Sequence, residues 1–169
     1  AVTRGPLNIA TFLMGTSEFM LLLTMNPDKA HQLMEKITKF IEDWVQYQKA
    51  CFPSIEGILL LDDIVGFVGE DECREFVVPY IKRCFSAIES KIGFFHNDAF
   101  GLTCAPFLQE MGVNLFNFAF DHPINQIREL AGAEVALIGN LPPRDVLAAG
   151  KPQEVYSATQ TMMRETNDH

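Results

Sequence analysis

Five short, almost uninterrupted apolar runs recur along the chain, at Leu7 to Leu13, Gly57 to Leu61, Ile92 to Phe95, Val113 to Phe120 and Val135 to Ile138. The stretches between them carry apolar residues at three and four residue spacing. A run of this length without polar alternation reads as a strand buried on both faces. Strands of that kind separated by helices make parallel βα units, because a parallel pair needs a crossover and the crossover helix covers the sheet. The fold class is therefore α/β with about five parallel βα units. Length agrees, since 169 residues at 48% apolar composition suit one domain, 1–169, with a sizeable core.

The clearest helix spans about Pro27 to Ala50, with Ala30, Leu33, Met34, Ile37, Phe40, Ile41, Trp44 and Val45 on its apolar face. Asn26 is placed to cap it, Pro27 suits the first helical position, and Asp28 suits the positive end of the dipole. A second helix covers about Asp71 to Ser90, and Pro79 inside it predicts a kink. Shorter helices follow Pro106, Pro123, Pro143 and Pro152, with Gly112, Gly132 and Gly150 as candidate left-handed ends.

Charge narrows the partners. With 22 Asp+Glu against 13 Lys+Arg, the net charge of -9 repels phosphate backbones and anionic bilayers, so neither nucleic acid nor membrane is expected. The longest purely apolar run, Phe19 to Leu23, is far shorter than a membrane span. Cys51, Cys73, Cys84 and Cys104 form no CxxC pair and sit in apolar segments, as reduced thiols in a cytoplasmic protein would. The first residues do not make a signal peptide, and no initiator Met precedes them.

Candidate chemistry collects at the strand ends, where parallel α/β folds build ligand sites. Asp62-Asp63 follows the second run, His96-Asn97-Asp98 the third, Asp121-His122 the fourth and Asn140 the fifth. Asp or Asn at such a position is also an ordinary helix cap or turn former, which is the leading reading for Asp121, His122 and Asn140. His96 and Asp98, two residues apart, can hold a metal or set up a proton transfer, although a satisfied structural histidine fits equally well. Strand alternation lets only one of Asp62 and Asp63 face such a site. Cys104, near a helix start, is more readily an inert buried thiol than a nucleophile. His31 and His169 are read as exposed.

Several segments resemble, in order, the uroporphyrinogen decarboxylase superfamily: Gly5-Pro6-Leu7-Asn8-Ile9-Ala10-Thr11-Phe12, Asp62-Asp63-Ile64-Val65-Gly66, the Arg74 to Arg83 helix, and Leu137-Ile138-Gly139-Asn140-Leu141-Pro142-Pro143. That superfamily holds porphyrinogen decarboxylases and cobalamin-dependent or coenzyme M methyltransferases on a (β/α)8 TIM barrel. The resemblance implies a partial barrel, lacking the first two and the last strands, and therefore a homo-oligomer or a complementing chain to cover the open edges.

The resemblance also sorts the residues. The decarboxylases carry a tyrosine and a serine near the substrate carboxylates where this chain has Phe12 and Asp63, and an acidic Asp63 repels a polycarboxylate. The methyltransferases bind zinc through a His-x-Cys pair where this chain reads His96-Asn97-Asp98. Asp for Cys replaces a soft thiolate with a hard oxygen, so the resemblance implies zinc on His96 and Asp98, with a different metal or none as the alternatives, and a decarboxylase would need none. The expected site is then Asp63, His96 and Asp98 for catalysis and Phe12, Asp62 and Asn140 for substrate. The implied substrate is a small molecule, with a corrinoid or tetrapyrrole as candidate. A methyltransferase-like member is the first reading, a uroporphyrinogen decarboxylase of porphyrin biosynthesis the second, and a non-catalytic barrel fragment the third.

Overall fold

The computed structural model describes residues 1–99 and 102–167. His169, expected to be exposed, lies outside them. Five parallel strands form one sheet in chain order, β1 (Val2–Arg4), β2 (Gly57–Leu61), β3 (Ile92–Asn97), β4 (Leu115–Phe118) and β5 (Ala136–Ile138). Sequential order with every crossover between parallel neighbours is the wall of a barrel that five strands leave open.

The first apolar run is corrected by the structure. Leu7 to Leu13 is not a strand but most of α1 (Pro6–Met14), and the strand lies before it at Val2–Arg4. A continuous apolar run of this length cannot be told from a fully buried helix by periodicity. The deciding signal is Pro6 at the first helical position, behind Gly5. Phe12 consequently sits on a helix, 70% exposed.

After α1 the chain turns at Gly15, φ +92, into α2 (Thr16–Met25) and then α3 (Pro27–Cys51). Asn26 caps α3 as its position predicts, its side chain accepting the Lys29 N–H at 3.2 Å. Ala30, Met34, Ile37, Ile41 and Val45 are buried along α3, whereas Phe40 and Trp44, expected on the same face, are exposed. No single helix among the described residues is long and apolar enough to cross a membrane.

A short 3-10 turn (Asp63–Phe67) follows β2, and the next helix comes in three pieces: α4 (Glu70–Glu72), a π-turn (Cys73–Val77) and α5 (Val78–Phe85). Pro79 explains the break. Inside a regular helix its missing N–H and its ring would cost about 3 kcal/mol. Here the Val78 N–H reaches back to Cys73 O, five residues away, and the widened turn delivers Pro79 to the first turn of α5. Beyond β4, α6 (Ile124–Ala131) ends at Gly132, φ +79; beyond β5, a π-turn (Pro143–Ala148) leads to α7 (Pro152–Asn167). Gly112 also has positive φ, +85, but Gly150 is not among the positive-φ glycines.

The two faces of the sheet differ. Ile58, Leu60, Phe95, Phe116 and Phe118 are buried in the core shared with the helices, and the rings of Phe95 and Phe116 stack at 5.9 Å. Their strand neighbours Leu59, Leu61, Phe94, His96, Leu115 and Asn117 are only half-buried. The expectation of burial on both faces holds for one face alone, because the strands that would face the other across a barrel are not in this sheet.

The β1 edge is not bare. Gln48 of α3 lays its amide along it, Oε1 accepting the Val2 N–H at 2.9 Å and Nε2 donating to Val2 O at 3.0 Å. Trp44 Nε1 donates to the same carbonyl at 3.2 Å.

Candidate active site

Strand register builds the site. The pairings Arg4 with Leu61, Leu61 with His96, His96 with Asn117, and Asn117 with Ile138 form one row across all five strands, next to their carboxyl ends. Alternation puts the row's side chains on the half-buried face. A cavity of about 500 Å³ opens there. Its polar wall is His96, Asp98, Asn117 and Asn140, and Phe120, Leu141, Leu147 and Met162 supply apolar surface.

His96 is held from the side. Its Nδ1 lies 2.5 Å from Asn117 Oδ1, while Asn117 Nδ2 donates to Ile138 O at 2.7 Å. No described residue hydrogen-bonds His96 Nε2. Asp98 is exposed, and its backbone N–H donates to Asp63 Oδ1 at 2.8 Å, so Asp63 pins the loop leaving β3. Asn140 Nδ2 donates to His122 O at 2.9 Å, tying the end of β5 to the segment after β4, and its side chain is half-buried at the cavity. Asn97, between the two site residues, is buried on the opposite face and donates to Cys104 Sγ at 3.5 Å.

Asp63, His96, Asp98 and Asn140 therefore share one rim. Asp62 does not. It is fully buried, its carboxylate accepts the Leu7 N–H at 2.8 Å and the Asn8 N–H at 3.1 Å, and so it caps the start of α1. Burial raises its pKa to about 7, against the pull of those amides. Phe12 does not line the cavity either. His31 is half-buried rather than exposed, bridging Tyr80 Oη at 2.8 Å and Glu75 Oε1 at 3.1 Å between α3 and the helix around Pro79. Burial pushes the Cys104 thiol up to about 11, which makes it an inert sulfur.

Two residues of the row carry no strand-end signal, Asn117 inside β4 and Arg4 at the end of β1. Arg4 is exposed and its guanidinium has no partner among the described residues. Two strand spacings, ~10 Å, separate it from His96 in the row. Only cross-strand register, absent from a linear sequence, brings the two into the row of His96.

Among the described residues, the donor set does not by itself complete a zinc site. Zinc takes three or four protein ligands. No group of three or more His, Cys, Asp or Glu side chains placed to hold a metal occurs among the described residues, and Asp63 Oδ1 is already engaged by the Asp98 amide.

Comparison with known proteins bears on the site. The family model for uroporphyrinogen decarboxylase matches residues 1–169. Uroporphyrinogen decarboxylase of Chlorobium luteolum is 26% identical over 151 residues, 88% of this chain and 42% of that protein. Methylated-thiol–coenzyme M methyltransferase of Methanosarcina mazei is 23% identical over 164 residues, 97% of this chain and 44% of that protein. A solved methyltransferase from Methanosarcina mazei superposes with a TM-score of 0.83 over 97% of this chain and 49% of its own, at 15% identity, which speaks for the fold alone. The chain thus spans less than half the length of these curated relatives.

Proposed function

Because the chain belongs to the uroporphyrinogen decarboxylase family, we propose that it forms one wall of the active site of a methyltransferase-like member, with His96 as the base that meets a small-molecule substrate. The observation that carries this reading is the charge of the rim. The five strands hold one cationic residue, Arg4, while Asp98 stands exposed at the cavity and Asp63 beside it. A polycarboxylate porphyrinogen needs several cations to balance it. A ligand with few anionic groups and an apolar reacting end near His96 is matched instead.

His96 Nε2 takes the proton of an acceptor thiol. The sulfur lone pair then forms the bond to the methyl carbon of the donor, and the bond from that carbon to its leaving group breaks with its electron pair going to the leaving group. Asp98 stabilises the imidazolium, and Phe120, Leu141 and Met162 exclude water from the methyl group. The donor class is a methylated thiol, by analogy with the methyltransferase relative, or a methyl corrinoid, as the superfamily resemblance implies. The half-buried inner face of the sheet suits a facing wall from a second copy or a complementing chain.

The decarboxylase reading has its own support, the 26% identity to the Chlorobium luteolum enzyme. Two parallel assays of the purified protein separate them: transfer of a labelled methyl group from a methylated thiol to a thiol acceptor, and release of labelled carbon dioxide from uroporphyrinogen. Methyl transfer that His96→Ala abolishes supports the proposal. Protein-dependent carbon dioxide release overturns it, and a folded protein inactive in both assays, with its partner present, overturns it in favour of a non-catalytic fragment.

A further inference from the structure

We propose that Asn117 is a positioning residue that locks His96 in its Nδ1–H tautomer and thereby presents a bare Nε2 lone pair to the cavity. The inference deepens the assignment of His96 as the base, but the tautomer itself stands on hydrogen-bond geometry alone.

The chain of bonds starts at a group with no choice. The Ile138 carbonyl oxygen only accepts, so the Asn117 atom 2.7 Å from it is the amide nitrogen. That orients the whole side-chain amide and turns its Oδ1 toward His96. Oδ1 in turn only accepts, and it lies 2.5 Å from His96 Nδ1. Two lone pairs at that separation repel, so Nδ1 carries the proton. A neutral imidazole has one N–H, and Nε2 is left as an acceptor. No described residue occupies Nε2, and His96 lines the cavity.

Register and a glycine hold the relay in place. His96, Asn117 and Ile138 are matched across three neighbouring strands, so the bonds run straight across the sheet. Gly139 has φ +118, and a β-carbon there would lie 3.1 Å from Asn117 Nδ2, crowding the amide. An imidazole free in water favours the Nε2–H form, in which the nitrogen facing the cavity would be a donor, unable to take a proton from a substrate. Asn117 reverses that preference before any ligand arrives, as the orienting partner of a catalytic histidine does.

The test reads the tautomer directly. Protein labelled with 15N in histidine is examined by long-range 1H–15N correlation above the histidine titration range, with the His96 signals assigned from a His96→Gln sample. The expected wild-type pattern is a protonated Nδ1 and an unprotonated Nε2. Asn117→Leu, which removes the acceptor facing Nδ1, shifts the population toward Nε2–H with the other histidine signals unmoved. Nε2–H as the main wild-type form overturns the proposal, and so does a pattern unchanged in a folded Asn117→Leu. Because the measurement needs no turnover, absence of methyl transfer refutes the base assignment without touching the tautomer, and the wrong tautomer refutes the role of Asn117 whatever the assays show.

Discussion

Gly5 and Asp62 compete for one volume: a β-carbon on Gly5 would stand 2.3 Å from Asp62 Oδ2 and 2.5 Å from Asp62 Cβ. The carboxylate cannot retreat, because both its oxygens hold amides at the start of α1. The Gly5 position is therefore reserved for glycine by packing, while its φ of -76 is ordinary.

Gly5→Ala should then destabilise the fold by about 1–3 kcal/mol, the usual cost of overfilling a packed site. Urea denaturation gives the number. A midpoint equal to wild type would mean that the β1 to α1 turn gives way freely.

Asp62 also predicts a pH dependence. Burial raises its pKa from the ordinary 3.8 to about 7, so the folded chain keeps the proton to higher pH than the unfolded chain. The sign follows: this contribution to stability is fully present below 3.8, declines as pH rises toward about 7, and is gone above it. Melting temperatures of wild type and Asp62→Asn, measured from pH 4 to 8, should show wild type losing ground to the variant over that window and running parallel above it. Parallel curves throughout would show that Asp62 ionises as an ordinary carboxyl.

Gln48 shields a sheet edge. Its amide takes both the N–H and the C=O that Val2 turns away from β2. Gln48→Leu keeps the bulk and removes both bonds, which should cost about 1 kcal/mol and raise self-association, since unpaired strand edges invite pairing. Thermal melts and light scattering at matched concentrations check the two effects separately.

Asp63 acts on the rim through the Asp98 amide. Asp63→Ala should leave global stability within about 1 kcal/mol, as for one partly exposed hydrogen bond, yet speed hydrogen exchange at the Asp98 amide. Unchanged exchange there would show that the loop after β3 is held by something else.

Local signals in the sequence were enough for four of the five strands, for α3 with its Asn26 cap, and for the break at Pro79, because each rests on spacing or on the chemistry of one residue with its near neighbours. They were also enough to place Asp63, His96, Asp98 and Asn140 at strand ends, and parallel strands send all such ends to one rim. Tertiary structure alone decided the rest. It made Leu7 to Leu13 a helix, since full burial erases the periodicity that separates helix from strand. It turned Asp62 under α1 and Asp63 to the rim, a choice that alternation leaves open between the two faces. It brought Arg4 and Asn117 into the row of His96, because register is set between strands separated by whole crossovers. A hydrogen bond such as that between His96 and Asn117 spans 21 residues of chain, and only the packed sheet brings its two ends together.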